Sequence, residues 1–182
     1  MSLKGSARLD EVAIRVGDTL RRRKIMAVLT GGACAYIRSG GAYTSLDVDF
    51  VLVAPPSRRE LDEAMASLDF RRRGDQYEHP EVDYVVEFPR GPLAIGSDHA
   101  IRPGLARKGR WMARALTATD SCRDRLAAFY HWNDRQALAA AVAIARRNRV
   151  RMDVIRKWSR AEGAAEKLAE FERAVAGARR GE

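Results

Sequence analysis

MAVLTGGACAYIRSGGAYTSLDVDFVLV, residues Met26 to Val53, is the stretch whose reading decides the fold. An apolar run (Met26 to Leu29) meets the Gly31-Gly32 pair, a short helical segment follows, and a second apolar run carries Asp47 and Asp49. Side chains two apart on a strand point to the same face, so the spacing sets these two carboxylates side by side. At about 4.5 Å and an effective dielectric near 20, two such charges repel by about 4 kcal/mol. A strand as apolar as Val48-Asp49-Phe50-Val51-Leu52-Val53 calls for compensation. A divalent cation held by oxygen ligands, most simply Mg2+, supplies it.

Working outward, Leu9, Val12, Val16 and Leu20 recur at helical spacing between Ala7 and Lys24, predicting an amphipathic first helix. Arg21, Arg22, Arg23 and Lys24 suit its negative end. The Gly31-Gly32 pair allows a sharp turn from strand to helix and close backbone approach, and the helix from Ala33 to Arg38 is stopped by Gly40-Gly41. Beyond the Asp-bearing strand, Pro55-Pro56-Ser57 with Glu60 three residues after the serine forms a capping box. The helix it opens runs to about Leu68, burying Leu61, Ala64, Met65 and Leu68. A hairpin around Gly74-Asp75 joins Phe70–Arg73 to Gln76–Glu78. Val82 to Phe88 is a third strand, with Asp83, Val85 and Glu87 on one face. Pro89 to Gly104 reads as loop, and Arg110 to Thr117 as a further short strand. Helices follow, capped by Thr119 or Asp120: Cys122–Trp132, Asp134–Arg147, Asp153–Arg160 and Gly163–Ala178. The expected class is α+β: a mixed sheet core over residues 1–118, then a helical segment over residues 119–182.

The 182 residues suffice for one domain with a helical appendage, and no apolar run reaches the roughly 20 residues of a membrane span. The start, MSLKGSARLD, has no signal-peptide core, which points to the cytoplasm. Two cysteines, Cys34 and Cys122, lie far apart in apolar stretches and read as buried thiols. His79, His99 and His131 lack paired zinc-ligand spacing. Thirty-three Lys and Arg against 24 Asp and Glu give a net charge of +9, which favours polyanionic partners such as nucleotide or nucleic acid. Trp111, Trp132 and Trp158 read as packing or interface residues, and of the three Trp111, among Lys108, Arg110 and Arg114, is the strongest nucleic-acid contact candidate.

From Ala27 to Phe88, about a third of the chain, the order of motifs resembles the nucleotidyltransferase superfamily typified by DNA polymerase beta. That pattern is a strand, a Gly-Gly or Gly-Ser turn, a helix, an Asp-hydrophobic-Asp strand, and a third carboxylate on a later strand. The matching residues are Gly31-Gly32, Asp47-Val48-Asp49 and Asp83, with Glu87 the competing third acid. Within the superfamily the chain looks most like the bacterial abortive-infection (AbiEii-like) branch. It keeps that branch's small hydroxyl residue, as Ser45, ahead of the acids, but has Tyr43 where arginine is usual and Gly32 where serine is frequent. Ser121 to Leu138 is similar to the helical region after the catalytic sheet in that branch, where Arg125 matches the basic residue that meets the nucleotide; its plainer reading is a helix charge paired with Asp124.

The resemblance implies an Mg2+- or Mn2+-dependent enzyme that moves a nucleoside monophosphate from an NTP to an RNA, protein or small-molecule acceptor, in a toxin-antitoxin setting. Asp47, Asp49 and Asp83 would hold metal and catalyse, and Gly31, Gly32, Ser45 and Arg125 would hold the nucleotide. The Gly32 and Tyr43 departures favour the alternative, a non-catalytic nucleotide- or RNA-binding regulatory module on the same scaffold.

Overall fold

A computed structural model describes residues 3–177. The first helix, α1 (Leu9–Arg22), buries Leu9, Val12, Val16 and Leu20 as its spacing requires, with Asp10 and Glu11 in its first turn and Arg21 and Arg22 in its last. Strand β1 (Ala27–Leu29) follows, then α2 (Gly31–Ser39) and β2 (Asp47–Leu52). Helix α2 starts at Gly31 rather than Ala33: the glycine pair is its first turn, not a loop before it. It ends on Gly40, whose left-handed backbone closes the helix. The capping box at Ser57 opens α3 (Arg58–Ala66), with the Glu60 amide donating to Ser57 Oγ at 3.2 Å and the Ser57 amide to Glu60 Oε2 at 2.8 Å.

The expected hairpin is β3 (Arg71–Arg73) with β4 (Gln76–Glu78), and the third apolar run contributes β5, shortened to Val85–Glu87. Two strands then occupy the basic region: β6 (Gly104–Lys108), where a loop end was expected, and β7 (Trp111–Ala115). Only Ala106 of β6 is buried, so the strand carries no hydrophobic pattern to read, and it forms by pairing along β7 at the sheet edge. The helical segment comprises α4 (Ala118–Trp132), α5 (Arg135–Arg147), α6 (Met152–Ala161) and α7 (Ala165–Gly177). Thr117 caps α4, its hydroxyl accepting from the Asp120 amide at 3.1 Å, two residues ahead of the earliest expected cap. The expected end of the last helix at Ala178 lies outside the described residues.

The protein is thus α+β, and its seven described strands form one mixed sheet in the order β3-β4-β5-β2-β1-β7-β6. β1 is antiparallel to β2 and parallel to β7, while β2 is parallel to β5. Helix α1 packs on β7 and β1 closely enough that a Cβ on Gly17 would fall 2.3 Å from Ala113 Cβ. Helices α4 and α5 pack on α2. One buried cluster therefore runs from Val48 and Phe50 of the sheet through Ala33 and Cys34 to Leu126, Phe129, Ile144 and Phe171, across the change from strands to helices. No described helix is long and apolar enough to cross a membrane.

Candidate active site

β2 divides its residues between two environments. Val48 and Phe50 point under the helices and are fully buried, while Asp47 and Asp49 point to the opposite face. Parallel pairing with β5 places Asp47 abreast of Val85 and Asp49 abreast of Glu87. Of the two acids that competed as third carboxylate, Glu87 is therefore the one beside Asp49. Asp83 precedes β5 and is exposed, and it is not among the charges that act most strongly on Asp49. Period-two alternation sets residues 83, 85 and 87 on one face, but pairing register alone decides which stands next to the pair.

The glycine pair meets the acids directly. Gly31 has φ +61°, and a Cβ there would fall 2.1 Å from Asp49 Oδ2. A Cβ on Gly32 would fall 2.5 Å from Ser45 Oγ and 2.7 Å from Ser45 Cβ. Any side chain at either position would fill the space in which the carboxylate and hydroxyl lie against the start of α2. The Thr30 amide donates to Asp49 O at 2.9 Å, which ties the helix entrance to β2. No acidic residue occupies the first turn of α2, and first-turn amides lack intrahelical acceptors, so this end offers donors and positive potential to an anion. The Ser45 hydroxyl donates to Asp47 O at 3.0 Å and accepts from the Asp47 amide at 3.3 Å, fixing the entry into β2.

Helix α4 supplies two more charged groups. Arg125 donates from Nε (3.1 Å) and Nη2 (2.7 Å) to Asp124 Oδ2, and its guanidinium lies 6.0 Å from the centre of the Tyr43 ring. The guanidinium near the acids thus comes from α4 and rests on Tyr43, the residue that stands where arginine was expected. Burial works against the charge of Arg125, but Asp124 and Tyr43 outweigh it and hold its pKa above the usual value. The sequence named Asp124 only as the helix partner of Arg125, the pairing seen here, and not as a charge acting on the acids. Its signal was helical phase: buried Ser121, Cys122, Leu126 and Phe129 define the inner stripe of α4, and Asp124-Arg125 border it.

These groups together push Asp49 up to about 6, first through burial and then through Glu87, Asp47 and Asp124, with Arg125 opposing. A carboxylate raised by burial and, beyond that, by three like-charged neighbours against one guanidinium is short of positive charge. The donor set, carboxylate oxygens alone, has the hardness that Mg2+ or Mn2+ prefers. Among the described residues no three His, Cys, Asp or Glu side chains stand already assembled as a metal-holding group.

Other candidates are occupied elsewhere. Both thiols are buried: burial raises Cys34 and pushes Cys122 up to about 12, so neither is a nucleophile near neutral pH. The His79 ring packs edge-on against Phe70 at 5.1 Å. The Trp111 ring has the guanidinium carbons of Arg15 and Arg110 at 5.1 Å and 5.3 Å. Arg123, two residues before Arg125, is buried and pairs with Asp98 and with Asp120 (3.0 Å), which makes it a fastening within the fold. Comparison with family models, curated proteins and solved structures returned no match for this chain.

Proposed function

We propose that the protein is a divalent-cation-dependent nucleotidyltransferase that moves a nucleoside monophosphate from an NTP to an acceptor hydroxyl or phosphate. The observation that carries this reading is the contact between Asp49 and the start of α2, where the carboxylate occupies the space a Gly31 side chain would take. Phosphate-binding donors and cation-binding acids then lie within one small region of the sheet. Asp47, Asp49 and Glu87 would hold Mg2+ or Mn2+, which when bound neutralises triphosphate charge and polarises the α-phosphate.

The chain's own part is positioning. The Gly31 and Gly32 amides receive the phosphate tail at the positive end of α2, and Arg125 lends a guanidinium from α4. The acceptor oxygen bonds to the α-phosphorus as the bond to the bridging oxygen breaks and pyrophosphate departs. The acceptor's proton passes to a carboxylate of the cluster, and no covalent protein intermediate is required.

The test is transfer of α-phosphate label from each of ATP, CTP, GTP and UTP, with Mg2+ or Mn2+, onto cellular RNA or protein. Asp47→Asn with Asp49→Asn lowers transfer by about three orders of magnitude or more; transfer retained in that variant removes the enzymatic reading. The second reading is a non-catalytic nucleotide- or RNA-binding module. It is favoured by the engagement of Arg125 with Asp124. NTP-dependent thermal stabilisation that survives the double substitution, with no transfer by the parent, supports the module.

A further inference from the structure

On the same face of the sheet as the acids, but farther along β2, lies a cleft of about 410 Å3 whose floor is Met26, Val28 and Val53. Val28 pairs with Val51, two residues from Asp49, and the Val53 amide donates to Met26 O, so the floor is continuous sheet. The far wall is the 92–103 loop, through Leu93 and Ile101. That wall is fastened from the helices. The buried Trp158 indole donates to Ile95 O at 3.1 Å, Ser97 donates from its amide (2.9 Å) and hydroxyl (2.7 Å) to Glu162 Oε1, and Asp98 pairs with buried Arg123. A cleft whose wall is pinned at three successive points is formed before any ligand arrives, as small-molecule sites usually are.

Its chemistry is apolar with a cationic end. Met26 and Val53 are 41% and 52% exposed, an unusual state for large apolar side chains so close together. Leu105, also exposed, pairs with Arg114 across the β6–β7 ladder and extends the apolar surface. Arg114 lines the cleft and is half-buried, and its guanidinium lies against the Met26 thioether, Nη1 toward Sδ. Thioether sulfur is a weak acceptor, and among the described residues no carboxylate pairs with this guanidinium. His99 stands at the same rim.

From this we infer a binding site for a small organic anion with an apolar body, its carboxylate, sulfonate or phosphate head meeting Arg114 and its body lying on Met26 and Val53. The site does not depend on the transfer reaction. Two fluorescent probes of similar shape test it: anilinonaphthalene sulfonate, which is anionic, and neutral N-phenylnaphthylamine. Arg114→Gln weakens the sulfonate by about tenfold or more and leaves the neutral probe unchanged, whereas Val53→Asp weakens both. Arg59→Gln, which removes an equal charge from a side chain 86% exposed and outside the cleft, alters neither. Val53 is solvent-facing enough that its variant keeps the site testable should Arg114→Gln fail to fold. An Arg114→Gln effect no larger than that of Arg59→Gln would mean attraction to net charge alone and would overturn the site. Probe affinity that rises on dilution of the protein would overturn it as well, by showing that a second copy fills the cleft.

Discussion

The two faces of β2 place opposite demands on neighbouring residues. Phe50 is sealed against the helices and stacks on Phe88 at 6.2 Å, so it contributes stability through burial. Asp49, one residue before it, is partly buried among like charges and is raised to about 6. One face of the strand therefore holds the fold together while the other carries an electrostatic load. A perturbed carboxylate of this kind marks a functional-site candidate, which is why the acid face and not the packed face is the place to look for chemistry.

The largest expected effect breaks the packed face. Phe50→Ala lowers stability by about 3–5 kcal/mol in urea unfolding, the cost of emptying a fully buried aromatic site. The adjacent change on the other face goes the opposite way. The folded pKa of Asp49, about 6, lies above its ordinary value of 3.8. Its contribution to stability is therefore full below about pH 4 and is lost as pH rises through about 6. Asp49→Asn should recover on the order of 3 kcal/mol at pH 7 and flatten the difference in stability between pH 4 and 7. Mg2+ should stabilise the parent at pH 7 and leave this variant almost unchanged; equal stabilisation of both would separate the charge load from cation binding.

A smaller loss, about 1–3 kcal/mol, is expected for Gly31→Ala. Its φ of +61° disfavours a side chain, and the new methyl would meet Asp49 Oδ2. Nucleotide-dependent thermal stabilisation should fall with it. The smallest effects sharpen the choice between the two later acids. Glu87→Gln should move the midpoint of the Asp49-dependent stability profile to lower pH, because it removes the first-ranking charge acting on Asp49. Asp83→Asn, exposed and ahead of β5, should leave that midpoint in place. A reversed pair of outcomes would return Asp83 to the site.

Much of the site was legible because its signals are local. The Gly31-Gly32 pair, the Asp47-x-Asp49 spacing and the Ser57/Glu60 capping box depend on residues a few positions apart, and backbone geometry translates them directly. The start of α2 was misplaced by two residues because glycine is a poor helix former, whereas here two glycines are needed so that Asp49 and Ser45 can lie against the first turn. Strand β6 escaped notice because it lies at an edge with a single buried side chain, Ala106, and gains its conformation from β7.

The amino-acid order by itself determined that two carboxylates share a strand face and that a glycine pair precedes them, since alternation and glycine's freedom are properties of the chain. Only the tertiary structure decided that Glu87 rather than Asp83 stands beside Asp49, that Asp124 brings a further like charge from α4, and that a pinned loop walls a cleft over Val28. Those arrangements rest on strand register and helix docking between segments dozens of residues apart. They are fixed by burying one common core, which no local pattern encodes.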